Sequence, residues 1–246
     1  CHTRRQRQMC IRDRLSSMEM DVALTTNGSL LEKNAAKLAE SRLSRVTVSL
    51  DAIDQEVHSA ITDSEVPVAD ILDGIFAAIR YELGPVKVNC VVQRGVNDHQ
   101  IPKLVRKFRG TGVIVRFIEF MDVGNTNGWT RGQVVPTSEI IDFLSNEFDL
   151  TPLARKSASD VASRWAHSDG TGEIGFISSV TQPFCGDCVR ARLSSDGKFF
   201  TCLFTTLGHD MSALIRSGRE TEELTNSIEE VWSVSYTHLT LPTSVT

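Results

Sequence analysis

Cys185 and Cys188 stand in a C-x2-C spacing within FCGDCVRARLSSDGKFFTCLF, residues 184–204, and Cys202 follows after thirteen residues. A C-x2-C turn can aim two sulfurs at one metal, and a returning strand can deliver a third. Gly186 and Asp187 suit that turn, and Asp196-Gly197 suits a hairpin between Arg192 and Cys202. Metal sites built only from protein usually have four ligands, so three thiolates leave alternatives open. These are a structural zinc site completed by His209, an iron–sulfur cluster with one open iron, or plain buried or redox-paired thiols. Arg190 and Arg192 come directly behind the pair. In a strand they would share a face with Cys188, while Val189, Ala191 and Leu193 pack on the other. Two guanidiniums beside a metal site suit a phosphate or carboxylate, held by forked charge-assisted hydrogen bonds. A solvated face with salt bridges is the competing reading.

A second group of polar residues alternates with apolar ones. In VTVSLD, Thr47, Ser49 and Asp51 alternate with Val46, Val48 and Leu50; in VKVNCVV, Lys87 and Asn89 alternate with Val86, Val88 and Cys90. Parallel strands covered on both faces read as nearly continuous apolar runs. One polar face is what strands lining an active-site cavity would offer. Cys90, on the opposite face, reads as a core thiol. Thr26 falls in the turn after its strand, where the ligand loops of βα units sit. Met121 ends a strand and could border a cofactor, and Glu119 could pair with Arg116. His58, His99 and His167 have no partner spacing, and no G-x-S-x-G, P-loop or H-E-x-x-H segment is present.

The elements that must position these residues alternate. Strands are expected over 20–26, 45–51, 85–93 and 113–121, with helices over 31–41, 68–83 and 99–110. Strands alternating with helices imply parallel βαβ units, and four units are too few to close a barrel. The character changes after GNTNGW (124–129): a helix over 137–148, short strands and turns, the cysteine segment, and helices within 210–232. The reading is an α/β protein with a partial TIM-type barrel over 15–130 and a smaller cysteine-bearing domain over 131–232.

The 246 residues are 41% hydrophobic and 23% charged, ordinary globular composition without a membrane-length apolar run. Uneven placement of the six cysteines argues against a disulfide framework and for a cytoplasmic setting. Residues 1–14 carry five arginines and one acid, and residues 233–246 carry no formal charge; both ends read as non-native. Subtracting the leader's +4 from the overall −5 leaves −9 for the rest. Nucleic-acid and membrane partners are not expected, and an anionic substrate must be held by local cations rather than a global field.

LTTNG (24–28), VSLD (48–51), VKVN (86–89), RFIEFMDVGNTNGW (116–129), GFISSVTQPFCGDCVRARLS (175–194) and FTCLF (200–204) resemble the radical S-adenosylmethionine GTP 3′,8-cyclases, which start molybdenum cofactor biosynthesis. The resemblance runs from about residue 15 to 232, and FCGDC followed by R-A-R is its specific part. It implies that Cys185, Cys188 and Cys202 hold a [4Fe–4S] cluster whose open iron takes the guanine base. Thr26, Lys87, Arg190 and Arg192 would bind GTP, while Ser49, Met121 and Asn89 would lie at the S-adenosylmethionine pocket. The implied chemistry is formation of 3′,8-cyclo-7,8-dihydro-GTP by a radical drawn from S-adenosylmethionine at a further [4Fe–4S] cluster. An electron donor, cyclic pyranopterin monophosphate synthase downstream and a homodimer are the implied partners.

The sequence departs from the family's pattern at its start. No C-x3-C-x2-C or GGEP is present, Cys1 and Cys10 are separated by eight residues, and four βα units stand where the family has six. The expectation is therefore a chain that lacks the first units and does not initiate radical chemistry by itself, with a non-catalytic zinc-stabilised binding module as the alternative.

Overall fold

The structure, a computed structural model, describes residues 14–15, 17–18, 20–41, 43–123, 128–157, 160–185 and 188–235. The expected leader, with Cys1 and Cys10, lies outside them except for Arg14; so do the tail from 236 onward, the loop residues 124–127 and the expected turn at Gly186-Asp187. The chain divides into two compact units, one from Cys1–Met121 and Trp129–Pro183, the other from Asp122–Gly128 and Phe184–Thr246.

The first unit is built on an open seven-stranded sheet. Its strands are β1 (Ala23–Thr26), β2 (Arg45–Ser49), β3 (Val86–Val92), β4 (Ile114–Glu119), β5 (Leu150–Leu153), β6 (Ser163–His167) and β7 (Glu173–Ile177). Their spatial order is β1-β2-β3-β4-β7-β6-β5. β1 to β4 and β7 run parallel, whereas β6 and β5 are antiparallel additions at the far edge. Pro152 is confined to that edge, where a missing ladder N–H is tolerated.

Five helices follow or separate these strands: α1 (Leu31–Glu40), α2 (Gln55–Thr62), α3 (Val68–Arg80), α4 (Ile101–Phe108) and α5 (Thr137–Ser145). The apolar stripes of α1, α3, α4 and α5 meet one face of the sheet. Leu31, Ala35 and Leu38 of α1, Ile71 and Ile75 of α3, Leu104 and Phe108 of α4, and Ile140 and Leu144 of α5 form one cluster with Val46, Val48, Val88, Cys90, Val115, Phe117 and Phe176. Each fully buried large side chain contributes about 1.5–3 kcal/mol of transfer free energy. Cys90 is a core thiol, as its position in the alternation implied. The helices thus cover the face of even-numbered residues on β2 and β3, and the polar odd-numbered residues take the other. This is the arrangement of a partial barrel.

The first unit continues well past residue 130, where the sequence reading ends the barrel. β7 supplies Val115 and Phe117 with parallel partners Ile174 and Phe176, so the segment up to Pro183 belongs to the same sheet. The second unit holds a three-stranded antiparallel sheet, β8 (Arg192–Leu193), β9 (Lys198–Phe200) and β10 (His209–Asp210), followed by α6 (Met211–Arg216) and α7 (Thr221–Ser235). Asp210 caps α6 by accepting the Ala213 N–H at 3.0 Å.

Candidate functional site

Strand register sorts the expected site residues. Ser49 is paired with Asn89, Thr47 with Lys87, and Asn89 with Arg116, so these side chains share the face away from the helices. Arg116 Nε donates to Asn89 Oδ1 at 2.8 Å, fixing both at the middle of the sheet. Gly175 lies opposite Arg116 on β7, and a Cβ there would stand 2.9 Å from Arg116 Cγ. A residue without a side chain lets the arginine lie flat across the strand. Arg164 and Glu173 form a bidentate pair at 2.7 Å on the neighbouring strands.

The face is electropositive although the chain is acidic. Burial, then Arg116, Arg45 and Lys156, push the Lys87 ammonium below its ordinary pKa, opposed by Glu173. Burial, then Arg45, lower Arg116. These are the local cations that an anionic ligand requires. The sequence offers Arg116 only as a partner for Glu119; its place opposite Asn89 across β3 and β4 is visible only once the register is known.

Thr26 goes the other way. It is the last residue of β1, in register with Val48, and so has the parity of the helix-covered face. Its Oγ1 accepts the Gly28 N–H at 3.2 Å and shapes the turn. Thr25, in register with Thr47, takes the polar face. Met121 lies two residues beyond the end of β4, half-buried.

Glu119 and Arg116 do not pair, because three residues apart on a strand they point to opposite faces. Glu119 is fully buried, and its carboxylate accepts from Thr137 N (2.9 Å), Thr137 Oγ1 (3.1 Å), Val180 N (2.8 Å), Thr181 N (2.8 Å) and Thr181 Oγ1 (2.5 Å). Burial would raise its pKa; the bonds from Thr181, Thr137 and Val180 outweigh that and hold it below the ordinary range.

The C-terminal ends of β2 and β3 are tied together by Asn97, fully buried. Its Nδ2 donates to the carbonyls of Asp51 (2.9 Å) and Val91 (2.8 Å), and its Oδ1 accepts from Gln93 N at 2.8 Å. Asp51 Oδ1 in turn accepts from Val91 N at 2.8 Å, and burial raises the Asp51 carboxyl. Of the unassigned histidines, His58 and His167 are buried and His99 is exposed.

In the second unit, the Cys188 N–H bonds the Cys185 carbonyl at 3.2 Å. The hairpin expected at Asp196-Gly197 is present: Gly197 has φ +87°, Ser194 N bonds Lys198 O at 2.9 Å, and Arg192 pairs with Phe200. Cys202 follows β9 by two residues. Burial first, then the neighbouring Cys202 and Cys188, raise the Cys185 thiol, opposed by Arg190. Cys185 is thus within electrostatic reach of the other two thiols. Among the described residues, however, no group of three or more His, Cys, Asp or Glu side chains is close enough to enclose a metal ion. Arg190 Nη2 donates to Cys188 Sγ at 3.2 Å, and its guanidinium lies 4.6 Å from the centre of the Phe184 ring. Arg192 is exposed on β8; residues 188–191 precede the strand, so the two arginines do not share a strand face. His209 opens β10, in register with Phe199.

An open parallel α/β sheet with helices on one face and a polar, cationic second face defines the class, and residues 4–108 match the radical SAM superfamily. The chain belongs to the Molybdenum Cofactor Synthesis C family, whose profile matches residues 113–238. It is 45% identical over 217 residues to a GTP 3′,8-cyclase of Acidothermus cellulolyticus, covering 87% of this chain and 60% of that protein. It is 44% identical over 223 residues to a GTP 3′,8-cyclase of Xanthomonas axonopodis pv. citri, covering 90% and 66%. The chain therefore spans less than two thirds of the length of either relative. The crystal structure of Streptococcus suis SuiB shares the fold, with a TM-score of 0.55 at 12% identity over 82% of this chain and 49% of that one. Among the described residues no helix is long and apolar enough to cross a membrane.

Proposed function

We propose that this chain is the GTP-binding and auxiliary-cluster portion of a GTP 3′,8-cyclase, acting in the first step of molybdenum cofactor biosynthesis. The observation that carries the proposal is the likeness to GTP 3′,8-cyclases over most of the chain, and it is supported by the C-x2-C spacing of Cys185 and Cys188 with Arg190 directly against Cys188. By their chemistry three soft thiolates suit a [4Fe–4S] cluster, which if bound would supply an iron site open to the guanine base. Arg190, Arg192, Lys87 and Thr26 bind GTP. Arginine suits this role because its planar fork bonds phosphate oxygens two at a time. Ser49, Asn89 and Met121 contact S-adenosylmethionine, with Arg116 added here as the residue that orients the Asn89 amide.

The protein's share of the work is to bind, orient and exclude water, so that C3′ of the ribose and C8 of guanine are held in a reactive geometry. With no C-x3-C-x2-C in its sequence, this chain by itself binds GTP and does not turn it over. On the same reading the protein is cytoplasmic and homodimeric, draws electrons from a donor protein, and passes 3′,8-cyclo-7,8-dihydro-GTP to cyclic pyranopterin monophosphate synthase.

The test is equilibrium binding of GTP to the reconstituted chain in competition with ATP. Saturable binding that ATP displaces at least tenfold more weakly is expected. Absent or base-indifferent binding, with zinc in place of iron, would favour a zinc-stabilised binding module and end the cyclase reading for this chain.

A further inference from the structure

Within the first unit, an open groove of about 340 Å³ lies between the start of α4 and α5, on the helix-covered side of the sheet. Small-molecule pockets begin at about this size. Ile101, Val135 and Ile140 line it, and each is buried in the helix-side core. Phe143 lines it too, with half of its surface exposed. The segments carrying these residues are tied to one another. Gln93 bridges to Val134, and the Arg94 N–H bonds the Gln133 carbonyl at 2.9 Å. The groove is therefore preformed by packed elements, so that a ligand does not have to order them.

The polar groups beside this apolar lining are Asp98, Glu139 and His99. Glu139 is already engaged, because Arg94 donates to its two carboxylate oxygens at 2.8 and 2.6 Å. Asp98 accepts only backbone donors, the Gly95 N–H at 2.9 Å and the His99 N–H at 3.0 Å. These bonds fix its carboxylate in place without neutralising it. The His99 imidazole, charged only when protonated, lies 3.8 Å away. Arg94 lowers the Glu139 carboxyl and Asp98 opposes it, so the two acids feel each other. Two carboxylates against one guanidinium leave one negative charge beside an apolar cleft. That charge repels an anion, and a neutral apolar molecule leaves it unanswered. A cation on an apolar body answers both, and the Phe143 ring can stack on either part of it.

We propose that the groove between α4 and α5 binds a small organic cation, an amine carried on an apolar body, with the Asp98 carboxylate recognising the charge and Ile101, Ile140 and Phe143 holding the body. The proposal is independent of the cluster reading and needs no iron in the chain.

The experiment titrates the full chain, labelled at its isoleucine methyl groups, with three probes of matched shape: phenethylamine, 2-phenylethanol and 3-phenylpropionate. Phenethylamine is expected to shift the Ile101 and Ile140 resonances saturably, with a Kd of about 1 mM or below. The alcohol should bind about fivefold more weakly, the worth of one exposed ionic contact, and the carboxylate should give no saturable shift. Asp98→Asn should bring the amine down to the affinity of the alcohol, and Phe143→Ser should weaken both. In the parent chain itself, raising the salt to about 0.5 M should narrow the lead of the amine over the alcohol. Equal binding of the three probes, a lead that salt leaves unchanged, or an amine preference that survives Asp98→Asn would overturn the proposal. So would saturable shifts confined to other isoleucines. A parent chain that dimerises at micromolar concentration, with Phe143→Ser monomeric and the amine excluded from the dimer, would assign the groove to a second copy and overturn it as well.

Discussion

Replacing Lys87 by methionine should make the ligand-free protein more stable while weakening its hold on anions. Burial, with repulsion from Arg116, Arg45 and Lys156 and attraction to Glu173, disfavours the charged form of Lys87. Burial is the largest of these causes, and the repulsions add to it. On a half-exposed, solvent-screened face each such interaction is worth a few tenths to about 1 kcal/mol, so their removal contributes about 1 kcal/mol. Methionine keeps most of the apolar stem and no longer needs its head hydrated, which acts in the same direction. For a chain of this size, 1 kcal/mol corresponds to about 2–4 °C in midpoint.

The pH dependence fixes the sign independently. The folded pKa lies below the ordinary 10.5, so between the two values the unfolded state binds more protons and stability rises with pH. The difference between Lys87→Met and parent should therefore shrink as pH climbs through that window. Nucleotide affinity should move oppositely: loss of one charge-assisted contact, about 1.5–3 kcal/mol, weakens GTP by about tenfold or more. Scanning calorimetry with and without GTP reads both effects. A variant less stable than the parent at neutral pH, with unchanged GTP affinity, would refute the account of this face.

Three further outcomes are expected. Glu119→Gln places an amide against N–H groups in a fully buried site and should cost about 3–5 kcal/mol; because the folded pKa lies below the ordinary 4.5, the parent's advantage is complete above that pH and is lost as pH falls through the folded value, which acid titration of both proteins would show. Asn97→Ala leaves two carbonyls and one N–H without their buried partner and should cost about 3 kcal/mol, seen as a lower urea midpoint at unchanged slope; a loss under about 1 kcal/mol would mean that water replaces the amide. Arg190→Ala and Arg192→Ala should each weaken GTP by about tenfold or more while iron content stays at the parent's level, and parental GTP affinity would remove them from the site.

Much of this arrangement was legible in the chain. The expected strands over 45–51, 85–93 and 113–121 bracket β2, β3 and β4, and the helix starts at 31, 68 and 137 coincide with those observed. Strong period-2 and period-3.6 patterns make such elements self-announcing. The polar alternation of Ser49, Lys87 and Asn89 is a shared face in the fold because parallel register keeps odd positions together. What local pattern could not show were long-range pairings. β5 to β7 are short, one carries Pro152, and nothing within 150–177 indicates that they join the β1–β4 sheet. Glu119 could be seen but not its partners, which lie 18 and about 60 residues away. The register of Thr26, in line with Val48 rather than Thr47, is equally invisible until β1 is paired with β2. For the arginines, a strand beginning at Arg192 rather than Cys188 undoes the shared face that alternation alone suggested.

The central claim is that Cys185, Cys188 and Cys202 hold a [4Fe–4S] cluster with an iron available to GTP. Its most direct test is anaerobic reconstitution of the chain with iron and sulfide, followed by metal analysis and visible and electron paramagnetic resonance spectra with and without GTP. About four irons per chain, with a spectrum that GTP alters and ATP does not, is the predicted result. A folded, colourless protein that retains zinc and whose spectra ignore GTP would contradict it.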